Sequence, residues 1–219
     1  MINNKTIILI ADVFVDAIPQ GGAEIVNDLL AKSLRTKGFE VIEVESCRVD
    51  SVFIDTYKDC LFIISGLMTL VQTPETIKSL LNTKYVIYEH DHKYVNDRNP
   101  AKFPNFIAPK NQLRFVEIYE NAEAVICQSS MHQKILSLNL PNCKKVISAA
   151  GSIWSEEFIY FVNNCLKVKT RKNNKAAIIK SSNEIKGQHE AEQYCKNNNI
   201  EYDLISSPDP KSLFNTLRK

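Results

Sequence analysis

Two histidines flank an aspartate at His90-Asp91-His92, directly after the apolar run Lys84–Tyr88. Two imidazoles beside a carboxylate can serve as base, phosphate donor or metal ligand. If the strand continued through them, His90 and His92 would share one face and Asp91 the other. A metal site needs a third and a fourth ligand, and no partner motif stands elsewhere in the chain. A simple polar strand end is the alternative. The second candidate is Gly21-Gly22, followed by Ala23 and Glu24 and a helical pattern. Glycines let backbone approach a ligand closely, and a helix start offers free N–H groups and a positive end to an anion such as phosphate. The third is Lys180 to Lys186-Gly187, where a lysine at a helix start could reach a phosphate. In the loop after His92, Lys93, Arg98 and Lys102 could meet a charged acceptor, although solvated surface explains any one of them.

These residues sit at the junctions of an alternating pattern. Ile7–Ala11 is apolar and β-branched, and Ala23–Lys37 carries Ile25, Val26, Leu29, Leu30 and Leu34 at helical spacing, stopped by Gly38. Strands follow at Glu40–Glu45, Cys60–Ser65, Lys84–Tyr88, Ala124–Gln128 and Lys145–Ala149. Helices are expected over Thr73–Leu81, Lys110–Asn121 and from Ser129 or Ser130 to Leu138. Lys93 to Pro109 is a long irregular loop with three prolines, of the kind that is functional or mobile. Strands alternating with helices imply a parallel sheet with right-handed crossovers, whose ligands bind beyond the carboxyl ends of the strands. Those ends are Asp12 onward, Gly66 onward, Glu89–His92 and Gln128–Ser130. His132 and His189 fall in helical stretches and read as exposed.

The domain organisation follows. Residues 1–160 read as one Rossmann-like α/β domain, 161–174 as a polar linker, and 175–219 as part of a second Rossmann-like unit with two strands and two helices. Such a short unit does not easily bury a core of its own.

Composition excludes several classes. Charged residues make up 24% and hydrophobic ones 44% of the 219 residues, as in a soluble globular protein. No apolar run approaches bilayer length, and the N-terminus has no secretory pattern, so a cytoplasmic address is expected. Six scattered cysteines without a C-x-x-C read as reduced. The charge is uneven, slightly acidic up to Tyr160 and basic from Phe161 on. The basic end suits phosphates or anionic lipid, which leaves a peripheral place at a membrane open. The aromatics lack a nucleic-acid stacking pattern, so no nucleic-acid partner is expected. There is no G-x-S-x-G. A simple dehydrogenase is disfavoured because Gly21-Gly22 is not G-x-G-x-x-G and nine residues separate it from Ala11.

In combination, these motifs resemble the retaining, nucleotide-sugar-dependent GT-B glycosyltransferases (the group 1, family 4 type). Gly21-Gly-Ala-Glu24, the helix and Gly38-Phe-Glu-Val41 resemble that family's opening. Tyr88-Glu-His90-Asp91 resembles its histidine at a middle strand end, and Val125–Ser129 its strand ending in serine. Val146–Gly151 with Phe158 resembles the inter-domain crossover, and Lys186-Gly187 the start of the donor half. Ala150 stands where the family has Asn, and Ser181 where it has Arg, with Lys180 adjoining. The family's donor-binding glutamate pair would lie beyond Lys219, so a truncated donor half, inactive alone, is the expectation.

The resemblance implies transfer of a sugar from a nucleotide-diphosphate sugar to a hydroxyl of a glycan, lipid or small-molecule acceptor, without cofactor or required metal. It gives His90 and Asp91 catalytic places. Gly21, Gly22, Glu24, His92, Arg98, Ser129, Lys180, Lys186 and Gly187 become substrate-binding, with Lys186 offsetting charge on the leaving diphosphate. Two other readings stand beside it. One is a non-catalytic binding module of the same fold. The other is a metal-assisted phosphohydrolase using Asp12, His90, Asp91 and His92.

Overall fold

A computed structural model describes residues 5–15, 21–168, 174–181, 186–206 and 210–218. The chain divides into two compact units, Met1–Ile153 and Trp154–Lys219.

The first unit is a doubly wound α/β domain. Its strands are β1 (Thr6–Ala11), β2 (Glu40–Glu45), β3 (Leu61–Ile64), β4 (Lys84–Glu89), β5 (Ala124–Cys127) and β6 (Val146–Ser148). All pair in parallel, in the order β2-β1-β3-β4-β5-β6. The alternation along each strand sorts side chains onto two cores. Ile8, Ile10, Phe62, Ile64, Tyr85, Ile87, Val125 and Cys127 pack on one face. Ile7, Leu9, Ile63, Val86, Tyr88 and Ile126 pack on the other. Residues alternate because successive side chains in a strand point to opposite faces, and both faces are apolar because parallel sheets are covered on both sides.

Helix α1 (Gly22–Thr36) covers the second face with Val26, Ala31, Leu30 and Leu34. Helices α2 (Ser51–Thr56), α3 (Pro74–Leu81), α4 (Val116–Asn121) and α5 (Ser130–Asn139) cover the first with Ile54, Leu80, Ile118 and Leu136. Side-chain caps fix several starts. Asp50, Thr73 and Ser129 accept the backbone N–H of Phe53, Thr76 and His132, which serves a donor that the helix itself cannot.

Three features depart from the sequence expectation. Helix α2 lies where no helix was expected, between Glu45 and Cys60. Helix α4 begins at Val116, not Lys110, because Phe115 sits in the left-handed region and residues 110–112 form a separate 3-10 turn. The long loop is ordered by further 3-10 turns at Pro100–Lys102 and Pro104–Phe106 and by an antiparallel bridge between Val95 and Leu113.

The outer strand β2 reads Glu-Val-Ile-Glu-Val-Glu, with Glu40 and Glu43 exposed. At the opposite edge β6 has only three residues.

The second unit holds α6 (Glu156–Leu166), β7 (Ala176–Ile179), α7 (Gln188–Asn197), β8 (Tyr202–Ile205) and α8 (Pro210–Leu217). β7 and β8 pair in parallel, and Ile178, Cys195 and Ile205 are buried. Helix α6 runs through Leu166, so the first residues of the stretch read as a linker are helical, while 169–173 lie outside the described residues. No helix among the described residues is long and apolar enough to cross a membrane.

Candidate functional site

The strand order reverses between β1 and β3, where the connections from neighbouring strands leave to opposite sides of the sheet. In open parallel sheets that crevice, at the carboxyl ends, is where ligands bind. Here a pocket of about 220 Å³ opens, lined by Asp12 after β1, Ser65 after β3, Asn27 and Glu24 from α1, and Asp91, Lys93 and Arg98 after β4.

Asp12 is held from one side. Its Oδ1 accepts from Ser46 Oγ at 2.7 Å, Thr69 N–H at 3.2 Å and Thr69 Oγ at 3.4 Å. Gly66 packs against its backbone, and only a residue without Cβ fits there.

His90 is half-buried at the end of β4 and bridges three elements. Gln128 Nε2 donates to its Nδ1 at 2.9 Å, so the ring proton sits on Nε2, which donates to Ser65 Oγ at 2.8 Å. Ser65 in turn donates to Asn27 Oδ1 at 2.6 Å. Burial, with Lys93 nearby, pushes the His90 pKa down to about 4. The imidazole is therefore neutral at ordinary pH with both nitrogens engaged. It is arranged as a fixed connector rather than as a free base.

Asp91 is clamped by Lys93 Nζ at 2.7 Å and Arg98 Nη1 at 2.8 Å. Burial works against its ionisation, but the two cations outweigh it and hold the carboxyl below its ordinary value. Behind it Glu89 is fully buried. It takes the Tyr119 hydroxyl, the Asp91 N–H at 3.0 Å and, at 4.0 Å, the Lys93 ammonium. A buried carboxylate persists only with such partners.

The sequence-derived candidates separate here. Glu24, Asp91 and Arg98 line the pocket, and His90 stands directly behind it through Ser65 and Asn27. Gly21 and Gly22 begin α1, but the helix end is already served by its own acid: Glu24 Oε2 accepts the Gly21 N–H at 2.5 Å. His92 does not share a face with His90. β4 ends at Glu89, and His92 takes a left-handed backbone conformation (φ 57°), which breaks the strand alternation. Its Nδ1 meets Tyr94 Oη at 2.7 Å and its ring lies 4.0 Å from that of His132. Asp12, His90, Asp91 and His92 thus do not form one ligand set, and no metal-holding group of three or more such residues occurs among the described residues. Ser129 caps α5. His132, expected to be exposed, is 7% exposed. Lys102 pairs with Asp97.

Lys180, Lys186 and Gly187 belong to the second unit. Lys180 follows β7 and is exposed, Lys186 is exposed just before α7, and Gly187 is its left-handed N-cap at φ 68°. Asn27, Ser65 and Gln128 did not stand out individually in the sequence. Asn27 carried one signal, a polar residue on the apolar stripe of α1.

No family model matches the chain, and no curated protein does. Among solved structures the chain is similar to a flavodoxin of Streptococcus pneumonia TIGR4, at 12% identity and a TM-score of 0.27, over 74% of this chain and 99% of that one. The sheet order and the helices on both faces make the first unit a doubly wound, Rossmann-like domain.

Proposed function

We propose that the chain is a glycosyltransferase that moves a sugar from a nucleotide-diphosphate sugar to an acceptor hydroxyl, with its first unit on the acceptor side and its second on the donor side. One observation carries the reading. The crevice where the strand order reverses holds a small polar pocket, backed by a histidine at the end of the middle strand β4. That histidine is the one the family resemblance singles out. In this reading His90, neutral and fixed, orients the groups that hold the acceptor. Asp91, kept ionised by Lys93 and Arg98, supports a hydroxyl as it gains or loses charge. Lys186 offsets charge on the leaving diphosphate. No metal or cofactor takes part.

The second reading is a binding module without turnover. It is favoured by the pocket being lined entirely by residues of the first unit.

The test is calorimetric titration of the chain with a panel of nucleotide diphosphates and their sugars, followed by assay for nucleotide-diphosphate release with glycan and lipid acceptors. Binding that weakens in Lys186→Ala supports the glycosyltransferase, and acceptor-dependent release would show turnover as well. Binding that Lys186→Ala leaves unchanged favours the module. Absence of any nucleotide binding removes the glycosyltransferase reading for this chain.

A further inference from the structure

We infer that the pocket between β1 and β3 is a subsite for a neutral polyhydroxylated ring, with Asn27 as its fixed donor and Asp12 as its fixed acceptor. The inference deepens the proposed function and rests on it only for the enzymatic use of the ring.

The donor comes from a directional relay. Gln128 Nε2–H points to His90 Nδ1, His90 Nε2–H to Ser65 Oγ, and Ser65 Oγ–H to Asn27 Oδ1, at 2.9, 2.8 and 2.6 Å. Each proton has one place, and Asn27 Oδ1 lies 3.3 Å from His90 Nε2 as well. The carboxamide oxygen of Asn27 is therefore committed inward. Its Nδ2 hydrogens have no protein acceptor among the described residues, although Asn27 is only 2% exposed and lines the pocket. That nitrogen is the part of Asn27 left to face the pocket, where a ligand oxygen or solvent can accept from it.

The acceptor is Asp12. Ser46 and Thr69 fill Oδ1, Oδ2 has no protein donor among the described residues, and the residue lines the same pocket. A hydroxyl gives and takes a hydrogen bond, so adjacent hydroxyls on one ring satisfy both groups.

Charge decides against an anion. The lining carries three carboxylates, Asp12, Glu24 and Asp91, against two cations, Lys93 and Arg98, and both cations are already bound to Asp91. A phosphate would face Asp12 and Glu24, whose hydrogen bonds come from neutral donors only. At about 220 Å³ the space suits a single small ring and lies below the roughly 300 Å³ at which pockets for larger ligands begin.

The experiment is a nitrogen–proton correlation titration of the full chain, following the side-chain amide of Asn27. The probes are myo-inositol, methyl α-glucopyranoside and inorganic phosphate. At least one polyol is expected to move the Asn27 amide signals, and phosphate to leave them in place. Asn27→Asp should weaken polyol binding about tenfold, the loss of its donor hydrogen bonds. The wild-type titration needs no variant and stands even where Asn27→Asp fails to fold. Amide signals that answer to phosphate instead, or to none of the three probes, overturn the inference. The two proposals fail separately. Polyol binding at Asn27 without any nucleotide binding sinks the enzyme alone. Turnover with the acceptor KM unchanged in Asn27→Asp sinks the subsite alone.

Discussion

Gly66 packs directly on the backbone of Asp12: a Cβ built on Gly66 would overlap the Asp12 amide nitrogen and lie 2.8 Å from the Ala11 carbonyl carbon. The two residues end adjacent strands, and their contact sets the width of the crevice. Gly66→Ala is expected to cost about 3 kcal/mol or more by overpacking against rigid backbone. Gly22→Ala meets nothing within 4 Å among the described residues and should be neutral or stabilise by up to about 1 kcal/mol. Denaturant midpoints of the two variants check the contrast. Equal midpoints would show that the contact is not tight.

Two buried tyrosines should respond in opposite ways. The Tyr88 hydroxyl is buried and has no hydrogen-bond partner among the described residues, whereas that of Tyr119 donates to buried Glu89. Tyr88→Phe removes an unsatisfied polar atom and should leave stability unchanged or raise it slightly. Tyr119→Phe takes a partner from a buried carboxylate and should cost about 1–3 kcal/mol. Thermal unfolding of both variants gives the answer, and a loss in Tyr88→Phe alone would reverse the assignment.

Acid should weaken the fold. His90 and His92 are both pushed from 6.5 to about 4, chiefly by burial, with Lys93 opposing protonation of His90 and His132 that of His92. The unfolded chain therefore binds more protons between those values. The stability at stake is complete above about 6.5 and is lost as pH falls toward 4. Each histidine contributes at most roughly 3 kcal/mol, and neighbours do not add fully. Melting temperature followed across this range should drop, and drop less in a His90→Gln, His92→Gln double variant. A flat profile in the parent chain would contradict the burial.

Gln128 sets the His90 tautomer, so its charge should set the titration. Gln128→Glu places a carboxylate at Nδ1, where it favours the doubly protonated ring. The His90 pKa should rise from about 4 toward its ordinary value, read from imidazole nitrogen shifts. An unmoved pKa would place Gln128 outside the relay.

Much of the fold was legible because burial leaves a periodic trace. Ile7–Ala11 and the Cys60–Ile64 part of the expected strand Cys60–Ser65 are unbroken apolar runs, and β1 and β3 lie within a residue of them. Ser129 capped the expected helix. Helix α2 was not legible, since Ser51–Thr56 is shorter than two helical turns and shows no full period. The divergence of His90 and His92 was hidden because it depends on one positive φ at His92, outside glycine. The relay through Gln128, Ser65 and Asn27 spans three elements, and sequence spacing carries no record of which strand lies beside which.

The acidic outer strand has a consequence for assembly. Glu40, Glu43 and Glu45 line an edge where another chain would have to lay its backbone, and three-residue β6 offers little purchase opposite. The sheet of the first unit is therefore closed to growth at both sides. A visitor to that unit finds its welcome at the ends of the strands rather than along the edges of the sheet.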